Sequence, residues 1–226
     1  MSKCLSAITI RVLIVDDHEL VRHGFSSLLG ANEKIDVVGS VSSGENAIEF
    51  CRDNDGNVDV ILMDVNMPGI GGIEATSRIS RSWPDIGIII VTIHDDGPLP
   101  KQLLNGGASG YLTKGNGVEE MINAIHDVHA GKHYIAKEIA QQIALSVLPG
   151  DVNPFDKLSM REIQVLMMIA KGIRNQEISD ILNLSPKTIS TYRARLNEKL
   201  EVTSDIEMLH LAIKYGVLDQ NNLESK

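Results

Sequence analysis

A chain of 226 residues has room for one large domain or two small ones, and 43% hydrophobic with 23% charged residues is the balance of a folded globular protein, not a disordered one. No apolar run approaches the ~20 residues of a membrane-spanning helix, no cleavable leader pattern opens the chain, and Cys4 and Cys51 have no ligand-type spacing; membrane insertion, a disulfide framework and a zinc site are not expected, and a cytoplasmic protein is. The net charge of −9 argues against nucleic acid only until it is divided, because residues 1–154 carry 11 Lys+Arg against 20 Asp+Glu while residues 155–226 carry 10 against 10.

In chain order, short apolar runs at Val12–Val15, Val37–Gly39, Val58–Met63, Ile86–Thr92 and Gly110–Leu112 read as strands. Stretches of helical length separate them: Glu19–Leu29, Gly44–Arg52, Gly71–Arg81, Pro98–Asn105 and Val118–Ala130. Five strand-then-helix repeats imply an α/β domain with a five-stranded parallel, doubly wound, flavodoxin-like sheet. An amphipathic stretch, Lys137–Leu148, follows and breaks at LPGDVNPF, where two prolines and a glycine mark a linker. Beyond it the helical period continues without strands through Arg161–Ala170, Gln176–Leu182, Lys187–Leu200 and Ile206–Tyr215, an all-α domain of four helices. The expected organisation is an N-terminal extension over 1–10, the α/β domain over 11–131, helix and linker over 132–154, the helical domain over 155–218 and a tail over 219–226.

In doubly wound sheets ligands bind beyond the carboxyl ends of the strands. The first strand ends on Asp16 and Asp17, the third on Asp64, the fourth on Thr92, and the fifth leads to Lys114. Singly, each has an ordinary explanation: a strand-end acid is commonly a turn residue or helix cap, and a lone Lys is usually solvated. Their convergence on one edge is what points to a site. Three carboxylates there repel unless a cation lies between them or one is protonated, and hard oxygen ligands without Cys favour Mg²⁺. Lys114 would pair with phosphoryl charge and Thr92 would donate to a phosphoryl oxygen, so the chemistry that fits is formation of an aspartyl phosphate.

VLIVDDHELVR, ILMDVNMPGIGG, IIIVTIH and GASGYLTKG resemble the motifs of two-component response-regulator receiver domains, over residues 11–131. The resemblance implies that Asp64 accepts the phosphoryl group and that Asp16, Asp17, Asp64 and the backbone carbonyl of Asn66 surround Mg²⁺. It further implies a switch pair, Thr92 and Tyr111, with Tyr111 swinging inward as Thr92 turns towards the phosphate. From the residues alone Tyr111 is a half-buried aromatic on a short edge strand. Gly115 stands where many receivers have Pro after the Lys. His18 and His94 lie near the site without a ligand-type partner spacing and are assigned no role.

In LSPKTISTYRARLNEKL, residues 184–200, Ser185 is the expected N-cap and Pro186 the first helical residue. Ile189, Leu196 and Leu200 fall on the packed side, and Lys187–Lys199 carries a net +3 inside a neutral domain. A basic helix is often just a solvated face. A short helix and tight turn in front of it make a helix-turn-helix over about 174–194 and favour DNA, read by a dimer at two promoter half-sites. The candidate contacts are Lys187, Thr188, Ser190, Thr191, Tyr192, Arg193, Ala194, Arg195 and Lys199, basic groups reaching phosphates and small or polar ones base edges.

Residues 155–218 resemble the LuxR-type output domain through Arg161-Glu162, Gly172, Asn175, Glu177-Ile178, Ser185 and Lys187-Thr188-Ile189; Tyr192 replaces the usual His. With DDHELVR, MPGIGGIEAT and HYIAKEIAQQIALS, the whole chain looks most like the GacA/UvrY/LetA branch of these regulators. That resemblance implies a membrane sensor histidine kinase or its phosphotransfer domain as partner, a homodimer on activation, and transcriptional activation of small regulatory RNAs. Two other readings use the same acids. One is a Mg²⁺-dependent aspartyl phosphatase or phosphotransferase, for which position 66 is Asn where the haloacid-dehalogenase pattern needs an acid; the other is a receiver that only mediates contacts.

Overall fold

The computed structural model describes residues 9–93, 99–145, 153–215 and 217. Parallel strands β1 (Ile10–Val15), β2 (Ile35–Val41), β3 (Val60–Met63), β4 (Gly87–Thr92), β5 (Gly110–Thr113) and β6 (Tyr134–Ile135) form one sheet in the order β2-β1-β3-β4-β5-β6. The doubly wound fold is as expected, with six strands instead of five. β6 has two residues, which is too short to display a strand period, and it enters the sheet by pairing Gly110 with Tyr134 and Tyr111 with Ile135. All four residues of β3 are buried, as are five of the six in β4, which is why these strands are continuous apolar runs in the sequence.

Helices α1 (Glu19–Leu29), α2 (Gly44–Asp53), α3 (Gly71–Ser82) and α5 (Val118–His129) alternate with the strands. Three of them turn an apolar stripe inward: Ala47 and Cys51 from α2, Ile73, Ala75 and Ile79 from α3, Met121, Ala124, Ile125 and Val128 from α5. The register then positions the site. Val15 pairs with Met63, and Met63 with Ile90, so Asp16 and Asp64 emerge next to each other at the carboxyl edge. Backbone bonds fix them there, with the Asp64 amide donating to Val15 O at 2.8 Å and the Lys114 amide to Thr92 O at 2.7 Å.

Two compact units divide the chain, one of residues 1–93 and 107–136, the other of 94–106 and 137–226. The second contains α4 (Leu99–Asn105), α6 (Lys137–Leu145), a 3-10 turn (Pro154–Lys157), α7 (Met160–Ala170), α8 (Asn175–Leu182), α9 (Pro186–Leu200) and α10 (Asp205–Lys214). The α4 segment, within the α/β stretch by sequence, groups with these helices. Gln102 shows the physical link: its buried side-chain amide donates to the carbonyls of Phe155 at 3.2 Å and Leu158 at 2.7 Å. The remainder of the expected Lys137–Leu148 helix, most of LPGDVNPF, the tail over 219–226 and His94 lie outside the described residues.

Caps explain where the later helices start. Ser159 and Glu162 form a reciprocal capping box on α7, Ser185 accepts from Thr188 N to open α9, and Ser204 accepts from Glu207 N to open α10. Between α8 and α9 the chain turns through Asn183 in the left-handed region, φ 52°, a conformation Asn tolerates better than most residues. Phe155, Ile163, Ile178, Ile189, Leu196 and Ala212 are fully buried at the centre.

Candidate phosphoacceptor site and nucleic-acid interface

At the carboxyl edge of the sheet Asp16 and Asp64 are almost wholly buried, 2% and 4% exposed, because their strands are interior ones. Lys114 reaches both: Nζ lies 2.6 Å from Asp16 Oδ2 and 3.4 Å from Asp64 Oδ1. Ligand atoms of Asp16, Asp17, His18 and Asp64 all fall within 4.8 Å of one another. Among the described residues, Asp17 Oδ1 is buried and accepts no hydrogen bond, its contact with His18 Nδ1 at 3.0 Å being an ion pair only if that ring is protonated, and Asn66 Nδ2 is buried without a hydrogen-bond partner. Buried polar atoms in that state cost free energy unless something else completes them. Hard oxygens, one buried acceptor to spare and more negative than positive charge are the donor set a small divalent cation such as Mg²⁺ takes.

Electrostatics at Asp64 follow from the same packing. Burial pushes its carboxyl up to about 6; Lys114 opposes that shift, and the charges of Asp16 and Asp17 add to it. The ammonium therefore offsets only part of the cost of a desolvated carboxylate beside two others.

Of the sequence-assigned switch residues, Thr92 is 1% exposed at the end of β4, and Tyr111 on β5 is fully buried where a half-buried edge residue was the reading from residues alone. The cause is β6, which pairs with β5 and makes Tyr111 an interior strand position. His18, given no role from sequence, stands at the cluster, its Nδ1 3.0 Å from Asp17 Oδ1 and 3.3 Å from Asp16 Oδ1. Sequence reasoning also missed Arg22, whose guanidinium donates to the Asp16 carbonyl at 2.7 Å and braces the acid-bearing turn from α1. Nothing in the sequence singles it out, because a charged residue in the first turn of a helix ordinarily reads as solvated.

The helical unit sorts the candidate DNA contacts by what each side chain already does. Ile189, Leu196 and Leu200 are buried as expected, and Lys187, Ser190, Thr191, Ala194 and Arg195 are exposed. Ser190 and Thr191 return their hydroxyls to the carbonyls of Pro186 and Lys187, at 3.0 Å each. Thr188 is engaged at the cap with Ser185, and Tyr192 is half-buried. Two of the basic residues turn inward. Arg193 donates to Asn175 Oδ1 at 2.7 Å and pairs with Asp205, tying α9 to the start of α8 and of α10. Lys199 Nζ sits 2.7 Å from Glu162 and donates to Lys157 O at 3.1 Å. Burial alone would raise the Glu162 carboxyl, but Lys199 and the Ser159 amide and hydroxyl hold it below the usual carboxylate range.

Residues 12–126 match the response regulator receiver domain family, and residues 156–212 match the luxR family of bacterial regulatory proteins. The chain belongs to the response regulators. It is 49% identical to the response regulator UvrY of Escherichia coli over 219 residues, spanning 96% of this chain and 100% of that one. It is 50% identical to the response regulator GacA of Pseudomonas aeruginosa over 212 residues, covering 93% and 98% respectively. Among solved structures it resembles RcsB of Salmonella enterica serovar Typhimurium bound to promoter rprA with a phosphomimetic, at TM-score 0.73 and 25% identity over 90% of this chain and 98% of that one. This response regulator is thus a DNA-binding transcription regulator of a two-component system, and the enzyme reading is not favoured. Among the described residues no helix is long and apolar enough to cross a membrane.

Proposed function

We propose that Asp64 is the phosphoacceptor of this regulator, charged by a sensor histidine kinase or its phosphotransfer domain. Phosphorylation then promotes dimerisation and binding at paired promoter half-sites, with activation of transcription that includes small regulatory RNAs. The observation that carries this reading is the buried Asp64 carboxylate, 3.4 Å from the Lys114 ammonium and clustered with Asp16 and Asp17. Kinship with UvrY and GacA along nearly the whole chain supports the regulatory part, and action on DNA implies a cytoplasmic protein.

In this reading a carboxylate oxygen of Asp64 bonds to phosphorus as the bond from phosphorus to the donor's imidazole nitrogen breaks. The imidazole leaves with that electron pair and takes up a proton. Asp16, Asp17, Asp64 and the Asn66 carbonyl would hold Mg²⁺, which when bound would neutralise phosphoryl charge. Lys114 pairs with the phosphoryl oxygens and Thr92 donates to one, so the charge moved onto Asp64 meets groups already in place. Tyr111 and Thr92 form the switch pair that conveys the change. On DNA, exposed Lys187 and Arg195 contact phosphates, while Ser190, Thr191 and Ala194 face the bases; Thr188 and Tyr192 flank them.

Incubation with a small acyl phosphate and Mg²⁺, for wild type and Asp64→Asn, tests the assignment. Label is expected on wild type alone, with tighter footprints on promoter DNA after labelling. Equal labelling of both proteins would remove Asp64 from the mechanism.

A further inference from the structure

The turn that follows Asp64 is held from two directions. On the near side the Gly72 amide donates to Val65 O at 3.1 Å, and a Cβ on Gly72 would overlap the carbonyl oxygen of Asp64 itself and lie 2.9 Å from Val65 Cα. The turn is thereby folded flat onto the peptide of the phosphoacceptor. Two further glycines, Gly69 at φ +73° and Gly71 at φ +68°, supply the left-handed steps this path requires.

On the far side the support comes from another element. Glu45 lies in the first turn of α2, and its Oε1 accepts a hydrogen bond from the Ile70 amide at 2.9 Å, across 25 residues of sequence. Its carboxylate lies flat against Gly69: a Cβ there would collide with Oε1 and come within 2.8 Å of Oε2. The helix that carries Glu45 is itself close to the turn, since a Cβ on Gly44 would meet Gly71 O at 2.8 Å and Ile70 Cγ1 at 2.9 Å. Glu45 is exposed on its other side, so that solvent had every opportunity to take this carboxylate. Between the two clamped ends sits Asn66.

We infer that Glu45 is a positioning residue for the cation site: by holding the Ile70 amide it fixes the Val65–Ile70 turn and so aims the Asn66 carbonyl at the carboxylates. The inference rests on the reading of Asn66 as a cation ligand beside Asp64. Glu45 touches neither the cation nor the phosphoryl group, and its effect passes through the backbone of the turn. Without the clamp the turn samples other paths, and a carbonyl that must be in place before the ion arrives is in place less often. The cost falls on cation affinity, not on the transfer step once the ion is bound.

The full-length protein is compared as wild type, Glu45→Ala and Glu45→Gln. Three quantities are read: Mg²⁺ affinity by calorimetry, amide exchange across residues 65–72 in the metal-free protein, and phosphorylation by a small acyl phosphate at limiting and saturating Mg²⁺. For Glu45→Ala the Mg²⁺ Kd is expected to rise about fivefold, the size set by one net hydrogen bond, and the Ile70 amide to exchange faster by about the same factor. The phosphorylation rate at saturating Mg²⁺ stays near wild type. Glu45→Gln, whose amide oxygen still accepts, restores both quantities. Unchanged Kd and exchange in Glu45→Ala overturn the inference, as does Glu45→Gln behaving like Glu45→Ala, or exchange accelerated equally in β1 and β3. If wild type binds no Mg²⁺ the cation reading itself fails, and faster Ile70 exchange in Glu45→Ala would still identify the clamp, separating the two failures.

Discussion

Asp64 is poised between two demands. As the proposed phosphoacceptor it has to be ionised to react, yet burial raises its carboxyl to about 6, with Lys114 only partly countering that burial and the charges of Asp16 and Asp17. Because the folded value lies above the unfolded value of 3.8, the folded state holds the extra proton between the two. Stability therefore falls as pH rises through about 4 to 6 and remains lower above that window. Replacing the carboxyl by an amide lifts this penalty while Asp16 keeps Lys114 paired. In EDTA, Asp64→Asn should be more stable than wild type at pH 7.5 by on the order of 2–3 kcal/mol, and equal to it near pH 4, as measured by urea titration. Equal stability at both pH values would contradict the strained carboxylate. This site was legible in the sequence because an apolar run that stops on an acid is visible one strand at a time. Arg22 and His18 were not, since a charged residue on the first turns of a helix looks the same whether it faces solvent or a strand end.

Along α9 the same ambiguity separates two kinds of basic residue. Composition gives the helix four cations, and the fold spends Arg193 and Lys199 on its own architecture. Arg193→Ala is expected to lower DNA affinity through a less stable domain, leaving the slope of log affinity against log salt unchanged. Arg195→Ala should leave the melting temperature unchanged and reduce that slope by about 1, the loss of one phosphate contact. Binding isotherms at three salt concentrations distinguish them. Lys199→Ala leaves Glu162, 3% exposed, without its cation and should cost about 2 kcal/mol at pH 7. Glu162 has a folded value below its unfolded one, so its contribution is present above the unfolded value and lost as pH falls through the folded one. The gap between Lys199→Ala and wild type should accordingly close in acid denaturation. Periodicity had identified the buried face of α9 correctly, with Ile189, Leu196 and Leu200 inside. It could not show which polar side chains reach neighbouring helices, because Asn175 and Asp205 approach Arg193 only after the chain folds.

On the scale of the whole molecule, acid and base are segregated along the chain, and so are the two chemistries. All of the net charge of −9 lies before residue 155, in the stretch that holds the proposed cation site, and residues 155–226, which hold the helix-turn-helix, are neutral overall with local positive charge. A ligand specific to the folded acid site should stabilise that unit by mass action. Mg²⁺ with beryllofluoride, at 100 times its Kd, is expected to add about 2.7 kcal/mol to the stability of wild type and nothing to Asp64→Asn, by calorimetric scanning. The alternation of strands and helices and the switch to pure helix were readable from the apolar period, and with them the fold class. β6 was not, since two residues carry no period, nor was the grouping of α4 with the later helices, in which the buried Gln102 amide takes part through bonds to carbonyls 53 and 56 residues away that no local pattern announces.

Gly72 carries a consequence out of proportion to its size. A lone methyl group added there has nowhere to go except into the carbonyl of Asp64, so the smallest lesion available to a mutation would displace the proposed phosphoacceptor without altering any charge. Gly72→Ala is expected to lower the melting temperature by several degrees, the cost of moving a packed backbone, and to accept phosphate at a small fraction of the normal rate even well below that temperature; a variant that reacts normally would mean that this backbone yields more readily than its close packing implies.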